Sequence, residues 1–130
     1  MNEPHVHIPF DHPDPPETHE VEAAWLLARH YCVQIDFLKP VDGYKTKTAD
    51  LVIEGQVWEL KCPSGKSKTT VGNQFKRAVK QSKYIIFDGR RIGIPDNEVK
   101  RRIEHELRKR KAIKRLLYID AKGTVMEIHR

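Results

Sequence analysis

The chain has 130 residues, 38% hydrophobic and 32% charged, with a formal net charge of +6. That suits one polar globular domain with a single core and is too little for two. No apolar run approaches the roughly 18–20 residues a membrane-spanning helix needs, and the N-terminus lacks the basic–apolar–small pattern of a secretory signal.

Residues 1–16 carry five prolines and three of the seven histidines. Proline removes a backbone donor, so this stretch reads as an extended or disordered lead-in to a domain spanning 17–130. His5, His7 and His12 with Asp11 and Asp14 have the chemistry of a transition-metal site, but a flexible polar tail is the simpler reading. A first helix is expected from Thr18, as N-cap, to about Val33. Its apolar face is Val21, Ala24, Trp25 and Ala28, widened by Leu27 and Tyr31. Gln34–Leu38 alternates polar and apolar as a half-buried strand does, and Asp42-Gly43 marks a turn. Tyr44–Thr48 is a basic connector whose Lys45 and Lys47 either touch phosphate or are simply solvated.

Leu51–Ile53 and Gln56–Leu60 read as two strands joined at Glu54-Gly55, because Gly55 tolerates the positive φ of a tight hairpin turn. Pairing Ile53 with Gln56 sets Val52 opposite Val57, Leu51 opposite Trp58, and Asp50 opposite Glu59. Two carboxylates then face each other with Cβ atoms about 4.5–5.5 Å apart. The strand period of two puts Lys61 on their side, with Trp58 and Leu60 on the other. Like charges so placed weaken a sheet unless a cation lies between them. Two acids and an amine on one face suit a hard divalent cation such as Mg²⁺ or Mn²⁺, which binds a few oxygen ligands together with water and substrate phosphate. The bland alternative is an exposed strand with an ordinary Glu59–Lys61 neighbour pair.

Cys62-Pro63-Ser64-Gly65 ends the strand, and a basic loop carrying Lys66 and Lys68 follows. A second helix is expected over Val71–Ser82. Val71, Phe75, Ala78 and Val79 form its apolar stripe, and Asn73, Arg77, Lys80 and Gln81 its polar one. Tyr84–Asp88 reads as a buried central strand, which makes a βαβ crossover. A third helix is expected from Asp96 to about Lys114. Its apolar seam is narrow (Val99, Ile103, Leu107), and Arg101, Arg102 and the run from Arg108 to Lys111 make it basic. Leu116–Ile119 and Thr124–Ile128 form a last hairpin.

The charge is unevenly spread. Eighteen of the 24 Lys and Arg lie between Lys61 and Leu117, against five of the 18 Asp and Glu. Such a surface attracts polyanions. Lys66, Lys68, Asn73, Arg77, Lys80, Gln81, Arg101 and Arg108 are therefore the candidate nucleic-acid contacts. Cys32 and Cys62 have no metal-type spacing and read as reduced thiols in a cytosolic setting.

Asp50, then Glu59-Leu60-Lys61 after a short hairpin, resembles the active-site signature of the PD-(D/E)XK nuclease superfamily. Ala49 stands where that signature has Pro. Over about residues 17–125 the chain is more narrowly similar to the tRNA-cleaving C-terminal toxin domains of contact-dependent inhibition (CdiA-type) proteins. The resemblance implies a single restriction-endonuclease-like α/β domain, a mixed sheet flanked by helices in the order α-βββ-α-β-α-ββ. It implies metal ligation by Asp50 and Glu59, completed by Glu20 early in the first helix and by the Leu60 carbonyl. Lys61 would position or help activate water, and Gln81 matches a glutamine late in the family's second helix. It also implies cleavage of tRNA or other RNA, an immunity-protein partner, and delivery to a cytoplasmic site of action as part of a toxin system. Two rivals remain at this point: a DNA endonuclease of repair, recombination or restriction, and a non-catalytic basic nucleic-acid-binding protein.

Overall fold

The computed structural model describes residues 3–39, 49–67, 69–78 and 83–130. The expected connector with Lys45 and Lys47, the end of the second helix, and Lys68, Lys80 and Gln81 lie outside the described residues. The elements are β1 His5–His7, α1 Thr18–Tyr31, β2 Gln34–Phe37, β3 Ala49–Ile53, β4 Gln56–Lys61, α2 Thr70–Ala78, β5 Tyr84–Asp88, α3 Asp96–Lys109, β6 Arg115–Ile119 and β7 Val125–Ile128. They form one mixed α/β domain around a seven-stranded sheet whose spatial order follows the chain, β1 to β7.

β2, β3 and β4 form an antiparallel meander, β4, β5 and β6 run parallel, and β7 returns antiparallel to β6. Parallel neighbours need a crossover, and α2 and α3 supply those between β4, β5 and β6. Two apolar layers follow from strand alternation. On one face Ala23, Ala24, Leu27 and Ala28 of α1 pack over Leu51, Trp58, Leu60, Ile86 and Leu117. On the other, Val71 and Phe75 of α2 and Val99, Ile103 and Leu107 of α3 pack over Ile85, Phe87, Leu116 and Tyr118. Phe75 stacks on Phe87 at 5.8 Å between ring centroids, which fixes α2 against the sheet.

Three expectations need correction. The lead-in is partly built into the sheet: His5–His7 pairs in parallel with Gln34–Asp36, and Val6 is buried in the α1-side core. Helix α1 is capped by Glu17 rather than Thr18, and it buries Ala23 and Leu27 while Val21 and Trp25 are only partly covered. The small side chains of Ala23, Ala24 and Ala28 let the helix approach the sheet closely, so its contact stripe is centred on them. Asp96 begins α3 but does not cap it. Its carboxylate accepts hydrogen bonds from the Tyr118 hydroxyl at 2.7 Å and the Ala121 N–H at 3.0 Å, tying α3 to the last hairpin.

Candidate active site

The β3–β4 hairpin closes at Glu54 (φ 49°) and Gly55 (φ 79°), two left-handed positions in succession, the geometry that matches strand twist in a two-residue turn. The turn fixes the register: Ile53 pairs with Gln56, Val52 with Val57, Leu51 with Trp58, and Asp50 with Glu59. On the other side of β4, Glu59 is level with Ile85 and Lys61 with Phe87. Asp50, Glu59 and Lys61 therefore share the sheet face that α2 and α3 cover.

Glu59 has no exposed surface and Lys61 is 8% exposed. The Lys61 Nζ lies 3.1 Å from Glu59 Oε1. Asp50, on the neighbouring strand, is half-buried. Burial raises its carboxyl above the ordinary value of 3.8, and the nearby Lys61 charge partly offsets this. Among the described residues one amine thus stands near two carboxylates in a poorly hydrated place. Paired carboxylate oxygens are the donors a hard divalent cation takes, so Asp50 and Glu59 are the residues that could hold one, with water or phosphate completing the shell.

Glu20 does not join them. Among the described residues no group of three or more His, Cys, Asp or Glu is gathered to hold a metal. Glu20 Oε1 instead accepts the Glu17 N–H at 2.8 Å, closing a capping box at the start of α1. Its charge is felt on the α1 side of the sheet, at Cys62, a thiol pushed strongly up by burial and by Asp88 and Glu20. The pattern Glu-Val-Glu at a helix start suits a cap as well as a ligand, and here the local backbone donor takes the carboxylate.

The basic candidates divide into groups. Asn73 of α2 and Arg101 and Arg108 of α3 come together with Thr69, Gly72, Arg102, His105 and Glu106 around a groove of about 610 Å³. Arg102 and Arg101 approach Glu98 at 2.8 and 3.4 Å, and Glu106 is held by Arg110 at 2.7 Å. Arg77 is exposed in the last turn of α2, away from the groove lining. Lys66 is exposed in the loop after β4, its stem lying over Gly93, and that loop is pinned by the Gly93 N–H to the Gly65 carbonyl at 3.0 Å. The spacing of 101, 105 and 108 along one helix face could have added His105 to the set from sequence; Thr69 depends on how α2 packs against α3.

Residues 47–125 match the family described as the contact-dependent growth inhibition CdiA C-terminal domain. The match covers more than half of the chain. The chain belongs to that family. It is thereby a toxin domain of the contact-dependent growth inhibition type, and the β3–β4 hairpin, the α2 and α3 crossovers and most of the last hairpin lie inside the matched segment. Among solved structures it is similar to the chain described as "CdiA-CT/CdiI toxin and immunity complex from Burkholderia pseudomallei", with a TM-score of 0.67 and 15% identity over 95% of this chain and 99% of that one. At that identity the likeness speaks for the fold. A search of curated proteins gives no match.

Proposed function

We infer that this CdiA C-terminal domain is a metal-dependent endonuclease of the PD-(D/E)XK type that hydrolyses phosphodiester bonds in RNA, tRNA foremost. The observation that carries the reading is the pairing of Asp50 with Glu59 across β3 and β4, with the Lys61 amine 3.1 Å from Glu59. Asp50 and Glu59 would hold Mg²⁺ or Mn²⁺, which supplies charge stabilisation for a phosphodiester and acidifies water otherwise near a pKa of ~15.7. Lys61, positioned by Glu59, orients the attacking water and hydrogen-bonds a phosphate oxygen as charge builds there. The water oxygen bonds to phosphorus, the bond to the leaving sugar oxygen breaks, and that oxygen takes up a proton. Lys66, Lys68, Arg77, Lys80, Gln81 and the α2–α3 groove hold neighbouring phosphates.

RNA is favoured over DNA by the family resemblance, and the polyanion preference by the basic surface from Lys61 to Leu117. The neighbouring fold occurs in a toxin and immunity complex, which supports a neutralising immunity protein for this chain and action in the cytoplasm of a recipient cell after delivery. Incubation with a tRNA mixture and with plasmid, each with Mg²⁺ and with EDTA, tests the proposal. The expected result is tRNA cleavage that EDTA abolishes. Cleavage of plasmid alone makes the domain a DNA endonuclease, and binding without cleavage of either polymer makes it a non-catalytic nucleic-acid-binding protein.

A further inference from the structure

The α2–α3 groove is set apart from the acid-bearing hairpin. Helix α2 stands between them: Val71 and Phe75 face the sheet core, whereas Asn73 is exposed and lines the groove. A helix with its side chains is about 10 Å across, the rise of about three nucleotides in a stacked strand at ~3.4 Å each. A group bound there is consequently not the one that meets Glu59 and Lys61.

The lining has a definite chemistry. Among the described residues, three guanidiniums, an imidazole, an amide and a hydroxyl line about 610 Å³, with Glu106 as the one carboxylate. That carboxylate is engaged by Arg110 at 2.7 Å, and Arg102 is braced by Glu98 at 2.8 Å, while Arg101 reaches the same Glu98 at 3.4 Å from a largely exposed position. Helix α3 also approaches α2 closely at Gly72, where a Cβ would meet Glu106 Oε1 at 3.4 Å. Planar guanidiniums beside an amide and a hydroxyl suit tetrahedral oxyanions.

Building on the endonuclease reading, we propose that this groove is a remote phosphate subsite, holding one backbone phosphate of the bound strand about three nucleotides from the scissile bond. Arg101 and Arg108 supply the charge, and Asn73 and Thr69 supply neutral donors. A substrate of two nucleotides cannot fill both places, so productive binding requires a longer strand.

The test is direct. Binding of a 5′-labelled single-stranded oligoribonucleotide of ten nucleotides is measured by anisotropy in EDTA across a salt series, for the full chain and for Arg101→Ala/Arg108→Ala. The double variant is expected to bind about tenfold more weakly at low salt, with a log–log salt slope shallower by about 0.7, the share of one phosphate on a single strand. As a check free of mutation, inorganic phosphate is titrated into the unaltered chain while the arginine Nε–H resonances are followed by NMR; those of Arg101 and Arg108 are expected to move saturably. An unchanged slope in a folded double variant, or arginine resonances indifferent to phosphate, overturns the proposal. So does a response to an oligoglutamate peptide but not to phosphate or oligonucleotide, which assigns the groove to an acidic protein partner. Because no step involves cleavage, a phosphate-responsive groove in a chain that cuts nothing refutes the endonuclease reading alone.

Discussion

Lys61 and Glu59 form an ion pair at 3.1 Å in which neither partner has appreciable contact with solvent, the side chains being 9% and 0% exposed. Two residues apart on β4, they are brought together by the strand period alone and buried by α2. Desolvating both ions is costly, and an all-apolar pair at this place would serve the sheet at least as well. Placed beside a third ionisable group, Asp50, the pair has the chemistry a site for a charged ligand would use.

The pair should behave asymmetrically under mutation. Lys61→Met takes the ammonium away from a buried carboxylate and is expected to destabilise the fold, by up to about 3–5 kcal/mol, whereas Lys61→Met with Glu59→Gln recovers part of that loss. Chemical denaturation of the three proteins measures the cycle. Cleavage should fall in all of them, by about 10²–10⁴-fold for Glu59→Gln, since the double variant restores the fold and not the chemistry. A double variant that cuts at the original rate removes both residues from the reaction.

Asp50 gives a pH dependence with a definite sign. Its folded pKa is raised above 3.8 by burial, so its contribution favours the fold fully below the unfolded value and is lost as pH rises through the higher folded value. Without divalent cations, thermal stability should therefore decline across that window, and Asp50→Asn should flatten the decline. Cation affinity runs the other way, because the ionised form is the ligand, and weakens as pH falls through the same value. Melting curves at several pH values, with and without Mg²⁺, report both slopes.

A cation that binds the folded chain and not the unfolded one raises its stability by about 2.7 kcal/mol at a hundredfold excess over Kd. Mg²⁺ or Mn²⁺ should raise the melting temperature of the native sequence and leave that of Glu59→Gln unmoved. An equal rise in both places the ion elsewhere.

How much of this was legible beforehand depended on how local the cause was. The hairpin register follows from Gly55 and from period-two alternation over ten residues, so the facing of Asp50 and Glu59 could be read from the chain alone. β1 could not: a three-residue strand among the four residues between Pro4 and Pro9 carries little pattern, and its order comes from a parallel partner almost thirty residues away. Glu20 is hard to place from the chain alone for the opposite reason. Its neighbour Glu17 offers a backbone N–H nearby, and that local bond took a side chain expected to reach across the fold. The joining of Asn73 with Arg101 and Arg108 depends on how two helices pack, which no single helix pattern encodes.

The α1 side of the sheet offers a structural check. Asp88 is 1% exposed and is held by Arg90, whose Nη2 also donates to the His19 carbonyl at 2.8 Å. Arg90→Met should cost about 3–5 kcal/mol through the carboxylate it abandons. The same surroundings push the Cys62 thiol far up, so iodoacetamide should label exposed Cys32 in the native protein and spare Cys62 until unfolding. Mass spectrometry after timed labelling reads the order; prompt modification of Cys62 contradicts the burial described.

The central claim is that Asp50 and Glu59 together hold a divalent cation. Anomalous scattering from crystals soaked in Mn²⁺ tests it at atomic level. The account predicts a peak within about 2.0–2.3 Å of a carboxylate oxygen from each residue, near the Lys61 amine. A peak elsewhere, or none in a soak where cleavage is supported, contradicts it.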